Sequence, residues 1–171
     1  MRVANEDDLP RIVEIYNATI SSRLATADIE AVTVESRRDW FAAHSDKRPI
    51  FVEEIDGTVV AWVSFESFYG RAAYHQTAEI SIYVDAPCRG RGLGSKLLTA
   101  SIKLSPSLGL KNLLAYIFSH NAGSLRLFEK QGFSIWGELP DVAEMDGDLF
   151  SLSILGLHLC SETEADKLGK L

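Results

Sequence analysis

A run of alternating glycines and arginines, from Arg89 to Ser95, joins a segment that alternates like a β-strand to one with helical spacing. Glycine has no Cβ, so backbone N–H groups at these positions can approach a ligand closely. The first N–H groups of the following helix are free and carry a partial positive charge, and Arg89 and Arg91 add two cations. The run therefore predicts a cradle for a phosphate or diphosphate group.

Two common nucleotide loops do not fit this run. A Walker A loop needs a glycine at the sixth position from Gly90, where the chain has Ser95. The dinucleotide fingerprint G-x-G-x-x-G fails because Gly94 lies one residue too early, and no acidic residue ends a second strand about 20 positions on. A glycine-rich turn with solvated arginines is the alternative without a ligand.

Hydrophobic periodicity predicts an α/β fold. Helical spacing indicates helices over 7–20, 93–104 and 121–131, with a short helix through Arg37, Trp40 and Phe41. Extended patterns predict strands over 50–55, 58–66, 77–85, 113–118, 133–139 and 149–157. The order α-α-β-β-β-α-β-α-β-β predicts a mixed sheet with helices on both faces. We expect one domain over residues 1–158 and a polar tail over 159–171.

Composition narrows the functional class. The chain has 171 residues and a formal net charge of −7, which argues against nucleic-acid or anionic-membrane partners, since both need clustered cations. No apolar run approaches the roughly 18 residues that span a bilayer, and the polar, acidic N-terminus is unlike a secretory signal. Cys88 and Cys160 form neither a disulfide framework nor a metal-ligand spacing. We therefore expect a reduced cytoplasmic protein without a metal.

The glycine-rich run and its flanks resemble the GCN5-related N-acetyltransferase (GNAT) superfamily. Arg89, Gly92 and Gly94 match the R-x-x-G-x-G loop that binds acyl-CoA, the preceding TAEISIYV resembles the family's fourth strand, and NAGSLRLFEKQGF over 121–133 resembles its second signature. The spacing of Tyr74, Glu79 and Tyr83, with LPDVAEMDG over 139–147, is most similar to the phosphinothricin and methionine sulfoximine acetyltransferase branch. The match covers residues 1–158.

The resemblance implies acetyl-CoA as cosubstrate and assigns residues to it. Backbone amides of the loop would hold the diphosphate, and these belong to Arg89, Gly90, Arg91, Gly92, Leu93, Gly94 and Ser95. The preceding strand would pair with the pantetheine arm through Ile82, Tyr83 and Val84, as an added strand would, and strand 113–118 would splay away to make room. Asn121 and Ser124 would contact the cofactor, while Asn121 would also cap the following helix.

The resemblance also implies an N-acetylation chemistry. Glu79 corresponds to the general base, acting through a water, and a backbone N–H near Val84 would meet the oxyanion. Phe128 stands where many relatives have a proton-donating tyrosine. Tyr83, Tyr116, a water or the helix dipole would therefore protonate or stabilise the leaving thiolate, or the thiolate would leave unassisted. Cys88 beside the loop is expected to pack rather than to carry the acyl group.

The acceptor is expected to be the amine of a small molecule, such as a free amino acid, in the loop over 68–76. There Arg71 would pair with a carboxylate and Tyr74 would form a wall, beside Glu79. The segment 143–151 lacks the Lys and Trp of the phosphinothricin enzymes, and Asp146 and Asp148 make that wall more acidic. Acetylation of protein N-termini or lysines, and a non-catalytic acyl-CoA-binding module, are the alternatives. Exposed strands near 133–157 are a candidate homodimer surface.

Overall fold

The computed structural model describes residues 1–159, which form four α-helices and one seven-stranded sheet. The helices are α1 (Leu9–Ile20), α2 (Val34–Ala42), α3 (Leu93–Leu104) and α4 (Ala122–Glu129). The strands are β1 (Arg2–Val3), β2 (Ile50–Ile55), β3 (Thr58–Ser67), β4 (Thr77–Val84), β5 (Asn112–Phe118), β6 (Ser134–Met145) and β7 (Asp148–His158).

The sheet is mixed, as the sequence predicts, with the spatial order β1-β2-β3-β4-β5-β7-β6. Only the β4–β5 pair is parallel, and the other described pairs are antiparallel. The parallel pair follows from α3, which crosses from the end of β4 back to the start of β5. β1 was not predicted, because two residues give no detectable periodicity.

Helices cover both faces of the sheet, which confirms the predicted layers. Alternate residues of β3 divide between two cores: Val63 packs under α3 and α4, whereas Trp62 packs under α1 and α2. The Trp62 indole Nε1 donates to the carbonyl of Ile12 at 3.1 Å and so fixes α1 on the sheet. Period-two alternation thus places one set of side chains in each core.

Several boundaries differ from the sequence predictions. α1 begins at Leu9, because Asn5 and Asp8 form a capping box around a preceding 3₁₀ turn. β6 extends to Met145 through two register shifts, so most of 139–147 is strand. In α4 Phe128 is buried, while Leu125 and Leu127 are half-buried and pack against the core that Phe128 joins.

Leu159, the first residue of the predicted tail, contacts the folded domain. The N–H of Leu159 donates to the carbonyl of Lys111 at 2.8 Å, and its side chain packs against the core of α3 and α4. The rest of the predicted tail, 160–171, lies outside the described residues, as does Cys160. Across residues 1–159, no helix is long and apolar enough to cross a membrane.

Candidate active site

The sheet opens between its two parallel strands. β4 and β5 pair only at Thr77–Asn112, Ala78–Leu113 and Glu79–Leu114. Beyond Glu79 the strands continue without pairing to each other, although β4 stays paired to β3 as far as Val84. The predicted splay is confirmed, and it begins at Glu79.

The register of β4 shows which main-chain groups face this gap. The N–H of Asp85 donates to the carbonyl of Val60 on β3 at 2.8 Å. Because successive residues of a strand direct their N–H and C=O groups to opposite edges, Ile82 and Val84 direct theirs into the gap. An extended, amide-bearing ligand can pair with such an edge as an added strand.

The glycine-rich loop follows directly. Gly90 and Gly92 have φ angles of +73° and +79°, and the space where a Cβ would stand is open at both. These left-handed conformations turn the chain into α3, whose first N–H groups have no partner within the helix. The loop is held to β4 by Arg89, whose Nε donates to the carbonyl of Val84 at 2.8 Å.

A cavity of about 540 Å³, here called the loop cavity, joins these features. It holds most of the predicted cofactor residues, namely Ile82, Tyr83, Val84, Arg89, Gly90, Gly92, Leu93, Gly94, Ser95, Asn121 and Ser124. The exposed Arg91 does not line it. The loop cavity suits a diphosphate because it has free helix N–H groups, an arginine and open space at two glycines. The gap between β4 and β5 suits an extended chain that contains amide groups.

Glu79 lies where two further cavities meet. The helix-side cavity, of about 170 Å³, lies between the sheet and α1 and α2. The gap cavity, of about 260 Å³, lies between β4 and β5 and includes Tyr116 and Phe128. Both cavities are lined by Glu79, Ser81 and Tyr83. A group bound in one cavity therefore lies next to a group bound in the other, along this part of β4.

The environment of Glu79 changes its acidity. Its burial, together with the charge of Glu66 directly opposite on β3, raises the pKa of Glu79 to about 7. Glu66 itself accepts a hydrogen bond from Trp40 Nε1 at 3.0 Å. A carboxylate with a pKa near neutrality can both take up and release a proton under ordinary conditions.

Other predicted site residues have their polar atoms engaged within the protein. The Tyr83 hydroxyl donates to the carbonyl of Ala25 at 3.1 Å, and its ring stacks on Trp62 with centroids 4.4 Å apart. Asn121 caps α4 by accepting from the N–H of Ser124 at 3.1 Å, and it donates to the carbonyl of Leu24 at 2.9 Å. The capping role predicted for Asn121 is therefore confirmed, while its contact with the cofactor stays a prediction.

The predicted acceptor residues are not brought together. Arg71 and Tyr74 line a separate cavity of about 480 Å³ beside Lys47, Arg48 and His75, and neither lines a cavity that contains Glu79. Asp146 pairs with Arg23 through its two carboxylate oxygens, at 2.7 and 3.0 Å. That pairing holds the pKa of Asp146 below its usual value. Of the predicted substrate residues, the structure places only Glu79 at the meeting point.

Sequence reasoning missed the other side of the helix-side cavity. It consists of aromatic rings and one cation from α1, α2 and β3: Tyr16, Trp40, Trp62 and Arg37. The pattern marked Arg37 and Trp40 only as parts of a short helix. Nothing in the sequence places that helix over Glu79, so only the packing of α2 on the sheet shows that these residues belong to the site.

Comparisons with known proteins identify the family. The model of the acetyltransferase (GNAT) family matches residues 10–133. The protein named "Putative phosphinothricin acetyltransferase YwnH", from Bacillus subtilis (strain 168), is 53% identical over 160 residues, 93% of this chain and 98% of the relative. L-amino acid N-acyltransferase MnaT from Escherichia coli (strain K12) is 32% identical over 170 residues, 99% of each chain.

A third relative supports the branch that the sequence predicts. The L-methionine sulfoximine/L-methionine sulfone acetyltransferase of Pseudomonas aeruginosa (strain PAO1) is 33% identical over 161 residues, 93% of this chain and 94% of the relative. The resemblance to the phosphinothricin and methionine sulfoximine branch is thereby confirmed.

Solved structures show the same fold. One that is 53% identical covers 94% of this chain and 98% of its own length, with a TM-score of 0.91. Another, from Salmonella typhimurium, contains acetyl-CoA; it is 31% identical, covers 94% of each chain and has a TM-score of 0.86. With the splayed strands, the glycine loop and these matches together, the chain belongs to the GNAT family of acetyl-CoA-dependent N-acetyltransferases.

Proposed function

We propose that the enzyme acetylates the α-amino group of a free amino acid or a close analogue, of the phosphinothricin or methionine sulfoximine kind. The observation that carries this proposal is Glu79, a carboxylate of raised pKa on the wall shared by the helix-side and gap cavities. Relatives named for L-amino acids and for L-methionine sulfoximine support the acceptor class.

Glu79 acts as the general base. An amino group is mostly protonated near neutral pH and must lose its proton before its lone pair can attack a carbonyl carbon. In the helix-side cavity that proton passes to Glu79, directly or through one water. The carboxylate is ionised above its pKa of about 7 and so accepts the proton in the range where the reaction has to run.

The gap and the loop hold the acetyl donor. Bound acetyl-CoA supplies a thioester, from which the acetyl group passes to the amine as a C–N bond forms and the C–S bond breaks. The backbone amides of Gly90, Gly92, Leu93, Gly94 and Ser95 hold the diphosphate, whereas the N–H of Arg89 already donates to the carbonyl of Ala86 at 3.3 Å and Arg91 lies outside the loop cavity. Main-chain groups of Ile82 and Val84 pair with the arm, and Asn121 and Ser124 contact it at the α4 end. The N–H of Val84 donates a hydrogen bond to the developing oxyanion.

Tyr116 is the hydroxyl best placed to return a proton to the thiolate. It lines the gap cavity with Glu79, and its hydroxyl makes no hydrogen bond within residues 1–159, whereas Tyr83 donates to Ala25. Burial, with a contribution from the charge of Glu79, raises the pKa of Tyr116, so its proton is retained at neutral pH. Phe128 lines the same cavity and has no proton to give.

A thiol-release assay over a panel of acceptors tests the proposal. The panel contains L-methionine sulfone, L-methionine sulfoximine, phosphinothricin, unmodified amino acids, polyamines and short peptides. We expect kcat/KM to be highest for the free amino acids and their analogues. A preference for peptides would indicate protein acetylation instead, and tight binding of CoA without turnover of any amine would indicate a non-catalytic module.

The small helix-side cavity favours a small acceptor over a lysine on a folded protein, since α1 and α2 bound it. Homodimerisation and a cytoplasmic location stay predictions from the sequence.

A further inference from the structure

We propose that Arg37 binds the carboxylate of the acceptor and so makes the enzyme selective for amino acids over simple amines. This inference rests on the proposed function, and it identifies the cation that the site needs. A free amino acid carries its ammonium and its carboxylate on the same carbon. The base and the group that binds the carboxylate must therefore lie in the same cavity.

Arg37 meets this condition and the arginine predicted from sequence does not. Within residues 1–159, Arg37 is the one cationic side chain that lines either cavity containing Glu79. Arg71 lines a different cavity. Arg37 comes from α2 and Glu79 from β4, so the two charges bound the helix-side cavity from opposite layers.

The guanidinium of Arg37 is held in place and still has donors to offer. It lies 4.7 Å from the ring centroid of Tyr16 and 5.7 Å from that of Trp40, and its side chain is 26% exposed. Nη2 donates to Asp28 Oδ2 at 2.8 Å, and Nε and Nη1 make no hydrogen bond within residues 1–159. A guanidinium fixed by two aromatic faces loses little freedom when it binds a carboxylate.

The remaining walls fit the rest of an amino acid. Tyr16, Trp40 and Trp62 give the cavity aromatic surfaces for an aliphatic or thioether-derived side chain. Glu66 on β3 lies opposite Glu79 on β4, so the ammonium meets acidic groups on the sheet side of the cavity while the carboxylate meets Arg37 on the α2 side. The cavity thus offers a cation and acidic groups within one space, as an α-amino acid with both charges on one carbon requires.

The contact with Asp28 suggests a different role for Arg37, which is to anchor the segment between α1 and α2 rather than to bind substrate. The Asp28 carboxylate also accepts from the hydroxyl of Tyr16 at 2.5 Å, so it links α1, α2 and the segment that joins them. If Arg37 served only to anchor that segment through Asp28, removing either partner would damage the site in the same way. If Arg37 binds substrate, Asp28 competes for it, and removing Asp28 has the opposite effect.

The experiment compares L-methionine sulfone with 3-(methylsulfonyl)propylamine, which lacks only the carboxylate. We expect Arg37→Gln to raise KM for the amino acid by about 10- to 100-fold, the effect of losing a hydrogen-bonded charge pair, and to change KM for the amine less than about threefold. Asp28→Asn should lower or preserve KM for the amino acid. Arg37→Lys keeps the charge without the planar fork and should give an intermediate KM.

Arg38→Gln is the matched control, because Arg38 is the next residue of α2, is mostly exposed and pairs with Glu35 at 2.7 Å. It should leave both KM values unchanged. Equal losses on both acceptors in Arg37→Gln and Asp28→Asn would overturn the inference and leave the proposed function intact. A wild-type enzyme that turns over the amine but no free amino acid would overturn the proposed function itself.

Discussion

Replacing Glu79 with Gln should strongly lower activity and stabilise the protein in a pH-dependent way. Glutamine has the shape of the protonated carboxyl group and cannot take up a proton. Loss of a general base typically lowers kcat/KM by about 10²- to 10⁴-fold. The wild-type enzyme should show a rise in kcat/KM near pH 7, which the variant should lack, since the pKa of Glu79 is raised to about 7.

The effect on stability follows from the same pKa. Below pH 4.5, the ordinary value, Glu79 is protonated in both the folded and the unfolded chain and contributes no penalty. Between pH 4.5 and 7 the unfolded chain releases this proton while the folded chain keeps it, so stability falls as pH rises and the loss is complete above pH 7. At about 1.4 kcal/mol per pKa unit, the shift from 4.5 to about 7 gives a full penalty of about 3 to 4 kcal/mol, and residual exposure of the side chain reduces it to about 2 kcal/mol.

Thermal unfolding at pH 5 and pH 8.5 measures this penalty. Glu79→Gln removes it, so the variant should gain about 4–8 °C over the wild type at pH 8.5, as about 2 kcal/mol gives in a chain of this size, and much less at pH 5. Glu138→Gln, an exposed glutamate on β6, should show no pH-dependent difference.

If Glu79→Gln were less stable than the wild type at pH 8.5, or gained the same stability at both pH values, the assignment of a buried carboxylate with raised pKa would be refuted. Full activity of Glu79→Gln at every pH would refute its role as the base.

Three other predictions test separate parts of the site. Gly92→Ala should weaken CoA binding in titration calorimetry, because a side chain at φ +79° costs about 1–2 kcal/mol and distorts the loop. Gly109→Ala is the control: Gly109 has a φ of +78° and so carries similar strain, but it lies away from the loop cavity, and the variant should bind CoA normally. Tyr116→Phe should lower kcat by about 10²-fold at unchanged KM, and an unaltered kcat would exclude it as the acid. Glu66→Gln removes a negative charge opposite Glu79, so the activity rise should move to lower pH; a move to higher pH would contradict the coupling.

Local pattern predicted most of the fold. The strands β2 and β3, the helix α3 after the glycine loop and the capped helix α4 all depend on interactions between residues close in sequence. The two-residue strand β1 and the extension of β6 depend on partners far along the chain, and were missed for that reason.

The glycine-rich loop before α3 was predictable for the same reason. The glycines, the arginines and the start of α3 lie within one short segment, so their order alone indicates an anion cradle. Glu79 was identified through a family resemblance, and its alternation with the buried Ile80 along β4 accounts for the sheet face on which it lies.

The amino-acid sequence by itself determined the α/β fold and the glycine-rich loop that we propose holds the diphosphate, because both arise from neighbouring residues. Only the tertiary structure decided what surrounds Glu79. Burial and Glu66 raise its pKa, Arg37 and the aromatic rings of α1, α2 and β3 form the cavity beside it, and Arg71 lies elsewhere. These relations join residues tens of positions apart, and no local pattern specifies how a helix crosses a sheet.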